Sequence, residues 1–140
     1  MRTAIATLAK EYPIECEQMR ATVCIVDDNA DIRQVLARVV QTVGLEAELY
    51  DSAEAFLKRD DGSRIGCLLL DVQLGGMSGL ELLEQLSAEG LEYPVFLISG
   101  AHDAHTVAQA KALKAIVVDK PFDAHTLARK VLRSVNAAGA

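Results

Sequence analysis

Residues 23–49, VCIVDDNADIRQVLARVVQTVGLEAEL, hold two strands separated by a helix, and this order decides the fold. Val23-Cys24-Ile25-Val26 is wholly apolar, with no alternation, which suits a strand covered on both faces. It stops at Asp27-Asp28-Asn29. Ile32, Val35, Leu36, Val39, Val40 and Val43 then recur at helical spacing, and Gly44 stands at the C′ position. Leu45-Glu46-Ala47-Glu48-Leu49 alternates apolar with acidic residues, the mark of an edge strand with one wet face.

The same alternation of elements continues outward from this unit. Cys67 to Leu70, Val95 to Ile98 and Ala115 to Val118 are further apolar runs that read as strands covered on both faces. Ser52 caps a short helix burying Ala53, Phe56 and Leu57. Ser78-Gly79-Leu80-Glu81 has the form of a capping box opening a helix that buries Leu80, Leu83 and Leu86. Asp103 caps a weaker helix around Val107 and Ala110. Asp123 caps the last helix, with Leu127, Ala128, Val131, Leu132 and Val135 on one face. Five strand–helix repeats with right-handed crossovers predict one doubly wound α/β domain, (βα)5, with helices on both faces of a parallel sheet.

Composition narrows the function classes. The chain of 140 residues is 51% hydrophobic and 24% charged, which fits one packed domain and argues against disorder. Acidic residues outnumber basic ones, 20 against 14, for a net charge of −6, so no nucleic-acid partner is expected. No apolar run approaches the ~20 residues of a membrane span, so no membrane partner is expected and the cytoplasm is the expected location. Cys16, Cys24 and Cys67 are odd in number and lack metal or redox spacing, which points to a reducing compartment. Residues 1–21 are charge-neutral and interrupted by Pro13. They read as an extension, either loosely ordered with a short helix near Thr3 to Tyr12, or preceding a true start at Met19. Residues 22–136 form the expected domain, and 137–140 a frayed end.

In doubly wound folds, ligands sit beyond the carboxyl ends of the strands. Four successive loops there carry Asp27-Asp28, Asp71, Ser99-Gly100 and Lys120-Pro121-Phe122. Three carboxylates close together repel, and one ammonium offsets them only in part. A divalent ion completes the balance, and an all-oxygen donor set suits Mg2+. Such a pocket can neutralise a phosphoryl group in flight, with a carboxylate as nucleophile. Asp71 directly follows the central strand and is the expected acceptor. Asp28 would hold the metal directly and Asp27 through water.

These marks, in this order, resemble those of the receiver domains of two-component response regulators, the CheY-like kind. Asp27-Asp28, Leu68-Leu69-Leu70-Asp71-Val72, Gly76-Met77-Ser78-Gly79-Leu80, Ser99-Gly100 and Lys120-Pro121-Phe122 carry the likeness, which covers roughly residues 20–136. The resemblance implies strand order 2-1-3-4-5 and a cis peptide before Pro121. It implies Asp71 as phosphoacceptor and Asp28, Asp71 and the Gln73 backbone carbonyl as magnesium ligands. Lys120 and Ser99 would each contact a phosphoryl oxygen. The expected function is that of a stand-alone receiver, not an enzyme in its own right. It would take its phosphoryl group from a histidine kinase or histidine phosphotransfer protein and signal to a downstream protein target, as a monomer or weak dimer.

Three positions depart from the family pattern. Val117 stands where receivers carry an aromatic ring, Leu113 where a glycine is usual, and Gly75 where proline is common. The first two motivate one alternative, an interaction module that works without phosphorylation; a receiver fragment of a longer regulator is another. A phosphatase or flavin carrier of the same architecture fits less well, since Gln73 occupies the place of the phosphatase's second aspartate. His102 and His105 lack a third metal ligand at fitting spacing, and Cys24 and Cys67 read as buried apolar thiols. Gly75-Gly76 matches no phosphate-cradling loop.

Overall fold

The computed structural model describes residues 22–59, 64–100 and 104–139. Each apolar run has become a strand and each helical spacing a helix. In chain order these are β1 (Thr22–Val26), α1 (Ala30–Gln41), β2 (Glu46–Tyr50), α2 (Ala53–Leu57), β3 (Ile65–Asp71), α3 (Gly79–Ala88), β4 (Val95–Ser99), α4 (Ala104–Ala112), β5 (Ile116–Asp119) and α5 (Ala124–Gly139). All strands are parallel, in the order β2-β1-β3-β4-β5, as the resemblance implies.

Successive side chains of a strand point to opposite faces, so the three central strands feed two cores at once. Val23, Ile25, Cys67, Leu69, Phe96 and Ile98 meet α1 and α5 on one face. Cys24, Val26, Leu68, Leu70, Val95 and Leu97 meet α2, α3 and α4 on the other. Cys24 and Cys67 therefore lie on opposite sides of the sheet, which excludes a redox pair. Burial pushes the Cys67 thiol far up, the behaviour of an inert core sulfur.

Several expectations need correcting. Val35 is 44% exposed. The buried stripe of α1 is Leu36, Ala37, Val39 and Val40, and Val35 lies about 100° around the helix from Leu36, beyond its rim. On α3 the inward residues are Leu82, Leu83 and Leu86, and Leu80 is half-buried. The run Ala115 to Val118 is not covered on both faces: β5 is a sheet edge, and Ile116 is 39% exposed. On the opposite edge, Leu49 is exposed while Glu48 is held by Arg59 at 2.9 Å and by the Tyr50 hydroxyl at 2.7 Å. Edge position, not composition, decides exposure in both strands.

Gly44 adopts φ +82, two residues beyond the α1 cap Thr42. The turn before β5 takes its left-handed conformation at Lys114 (φ 68), directly after Leu113. Helix α5 continues to Gly139, past the end expected at residue 136. The extension over residues 1–21, Cys16, His102 and the Asp103 cap lie outside the described residues.

Candidate functional site

Chain order reverses between β1 and β3, opening a crevice beyond their carboxyl ends. Asp27 follows β1 and extends its ladder, donating its backbone N–H to the Tyr50 carbonyl at 3.1 Å. Asp71 is the last residue of β3. Lys120 follows β5, with its backbone N–H on the Ser99 carbonyl at 2.9 Å and a cis peptide to Pro121. Buried central strands thus aim Asp27 and Asp71, and the edge strand β5 brings in Lys120.

The loop after β1 is held at both ends. Asp27 Oδ1 accepts the Asn29 N–H at 2.8 Å. Asn29 in turn caps α1, accepting from the N–H groups of Asp31 and Ile32 at 2.9 and 3.1 Å. Arg33 reaches back from α1 to donate Nη1 to the Asp27 carbonyl at 2.7 Å. At Asp71, Oδ1 accepts the Gln73 N–H at 3.0 Å and Oδ2 faces Lys120 Nζ at 3.3 Å.

One carboxylate oxygen from each of Asp27, Asp28 and Asp71 lies within 4.8 Å of the others. The three aspartates, Lys120 and the Gln73–Gly75 segment line a cleft of about 410 Å³. Ser99 is buried at the end of β4, the strand next to the one that ends in Asp71. Asp27 and Asp71 are buried, while Asp28 is exposed.

Burial pushes the Asp27 carboxyl up to about 6, against the lowering effect of the Asn29 N–H and with further raising by the Asp71 carboxylate. Its Oδ2 is buried with no hydrogen-bond partner among the described residues. An orphaned buried acceptor beside two further carboxylates, all oxygen donors, fits a hard divalent cation. Asp27, Asp28 and Asp71 are the groups whose oxygens could hold one.

Asp27 carries a pH signature. Its folded pKa, about 6, exceeds the ordinary 3.8, so the folded state keeps its proton to higher pH than the unfolded chain. Stability of the metal-free protein therefore falls as pH rises through that window. At pH 7.5, Asp27→Asn is expected to stabilise the metal-free protein by roughly 1–3 kcal/mol, and to lose most of that advantage at pH 4. Urea denaturation at both values checks this. A variant less stable than wild type at pH 7.5, or an advantage independent of pH, contradicts it.

Sequence reasoning passed over two residues here, Arg33 and Glu54. Arg33 lies on a helix whose spacing reads only as amphipathic. Glu54, in the first turn of α2 after its Ser52 cap, reads as an acid favoured by the helix dipole. Nothing local signals that it accepts the Met77 N–H at 2.9 Å, 23 residues on. His105 and His125 are exposed and join no metal-ligating cluster among the described residues. Val117 is half-buried against the core on the α2–α4 side.

With this geometry in view, comparison with known proteins assigns the family. Residues 23–132 match the model of the response regulator receiver domain, and the chain belongs to that family. It is therefore a CheY-like receiver of the two-component response regulators. It is similar to the response regulator protein TodT of Pseudomonas putida, 38% identical over 105 residues, which are 73% of this chain and 45% of TodT. The transcriptional regulatory protein FixJ of Bradyrhizobium diazoefficiens is 32% identical over 100 residues, 71% of this chain and 49% of FixJ. The chain thus spans about half the length of the curated relatives it matches. Among solved structures, a response regulator receiver protein from Pseudoalteromonas atlantica superposes with TM-score 0.78 at 26% identity, covering 84% of this chain and 98% of the other. Among the described residues, no helix is long and apolar enough to cross a membrane.

Proposed function

We propose that residues 22–136 form a cytoplasmic, magnesium-dependent receiver that accepts a phosphoryl group on Asp71 from a histidine kinase or histidine phosphotransfer protein. One observation carries this reading: Asp71 ends the central strand with one oxygen on the Gln73 N–H and the other facing Lys120, inside a cluster of three carboxylates. An Asp71 oxygen forms the new P–O bond as the bond from phosphorus to the donor's imidazole nitrogen breaks, and the imidazole leaves with the electron pair. Lys120 offsets the charge spreading over the phosphoryl oxygens. Magnesium, when bound by Asp27, Asp28, Asp71 and the Gln73 carbonyl, supplies further neutralisation of those oxygens.

Ser99, buried at the end of β4, is the hydroxyl that would turn to a phosphoryl oxygen and couple the site to a change in the β4–α4 region. As a stand-alone unit the domain would signal through protein contacts. TodT and FixJ are about twice its length, so what those proteins do as wholes is a separate matter.

Incubation with acetyl phosphate and Mg2+, followed by intact-mass measurement, tests the proposal. The expected result is one added phosphoryl group, and none when EDTA replaces the metal. A chain that stays unmodified with several small phosphodonors overturns it. That outcome favours the phosphorylation-independent module, for which valine in place of the usual ring at position 117 is the motivating observation.

A further inference from the structure

The segment between β3 and α3, residues 72–78, lines the acidic cleft at Gln73, Leu74 and Gly75. Its base is closed by two backbone bonds, Val72 N–H to the Ile98 carbonyl at 3.1 Å and Gly79 N–H to the Val72 carbonyl at 3.0 Å. Its near limb is tied by the Gln73 N–H to Asp71 Oδ1. Its tip, Gly75-Gly76, has no side chains with which to hold itself. On the far limb the Met77 N–H donates to Glu54 Oε2 at 2.9 Å. Among the described residues, no other hydrogen bond ties residues 74–77 to the rest of the fold.

Gly76 is in the left-handed region, φ +75, and a Cβ there would stand 2.8 Å from the same Glu54 oxygen. The loop and the carboxylate are therefore fitted to each other: the left-handed turn presents the Met77 N–H to Glu54, and the missing side chain admits the carboxylate. Acceptance of that N–H also lowers the Glu54 carboxyl below its ordinary value, keeping it an acceptor.

We infer that Glu54 is a positioning residue for the acidic cleft, clamping the far limb of the 72–78 loop from α2 so that its near limb is held where the metal is bound. This rests on the magnesium reading of the cleft. A helix-dipole role for Glu54 needs only its place in the first turn of α2, whereas the clamp needs an acceptor oxygen at Met77.

Mg2+ affinity, measured by calorimetry on the full chain, and amide exchange at Met77 in the metal-free protein together test the inference. Glu54→Ala is expected to weaken Mg2+ binding by roughly tenfold, as loss of outer-shell support does at metal sites, and to speed exchange at Met77. Glu54→Gln keeps an oxygen that can accept the same N–H and is expected to stay near wild type in both measurements, although it lacks the charge that favours the helix dipole. Unchanged affinity in Glu54→Ala, with the wild type binding Mg2+ normally, overturns the inference and leaves the proposed function standing. Glu54→Gln weakened as much as Glu54→Ala also overturns it. A wild type with no affinity for Mg2+ overturns the cleft's magnesium reading, and this inference with it.

Discussion

Asp71→Asn is expected to abolish phosphoryl uptake while leaving the protein folded. The substitution is nearly isosteric, and a well-chosen amide rotamer keeps an oxygen on the Gln73 N–H, the bond that Asp71 Oδ1 makes at 3.0 Å. What disappears is the anionic oxygen that attacks phosphorus, together with one of three carboxylates able to hold the metal. The ion pair to Lys120 at 3.3 Å is also lost, but the lysine side chain is 32% exposed, so solvent screens much of that interaction. Relief of repulsion with Asp27 works in the opposite direction. Intact mass after treatment with acetyl phosphate and Mg2+ should show one added group on the wild type and none on the variant, with urea midpoints close together. A variant that gains the group as the wild type does would move the acceptor to a neighbouring carboxylate.

Gly79→Ala is expected to cause the largest loss of stability of any single methyl addition discussed for this chain. A Cβ at Gly79 would fall on the Asp71 carbonyl oxygen and stand 2.9 Å from the Asp71 carbonyl carbon and from Val72 Cα. All three are backbone atoms at or just past the end of β3, the strand that carries the acceptor, so no flexible side chain can move aside. Alanine would otherwise favour this helix start by up to about 1 kcal/mol, but overpacking against fixed atoms costs about 1–3 kcal/mol and sometimes more. With the overlap at the severe end of that range, the expected net loss is about 2 kcal/mol, read as a lowered urea midpoint. Phosphoryl uptake should fall too, because either α3 or the end of β3 must shift. Gly75→Ala is the control for stability: nothing lies within 4 Å of its Cβ position, and little change in the urea midpoint is expected.

Much of the site is readable before any coordinates because strand ends are readable. The apolar runs of β1, β3 and β4 stop at charged or hydroxyl residues, and in a parallel sheet those stops fall along one edge. Asp27, Asp71 and Ser99 are legible in this way. The capping box was equally legible: Ser78 Oγ accepts the Glu81 N–H at 3.1 Å, and Glu81 Oε1 accepts the Ser78 N–H at 2.9 Å. Its four-residue pattern is local, so no distant partner can alter it.

Other features depend on approach rather than pattern. Asp27 and Asp28 are identical neighbours, yet one is buried with an orphaned oxygen and the other faces solvent. Val35 and Ala37 flank Leu36 on α1, and only the packing of that helix on the sheet turns the alanine in and the valine out. Ser99 ends a strand as apolar as any, and only the packing of the fold takes this polar residue out of solvent.

From residue order alone follow the five strand–helix repeats, the edge where the charges gather and the chemistry those residue types support. Periodicity and strand termination are properties of neighbouring residues and need nothing else. The tertiary structure decided which carboxylate loses its solvent, which edge residues stay wet, and that Glu54 accepts the Met77 N–H across the sheet's end. Each of these requires segments distant in the chain to meet, and dielectric environment and hydrogen-bond pairing exist only after they have met.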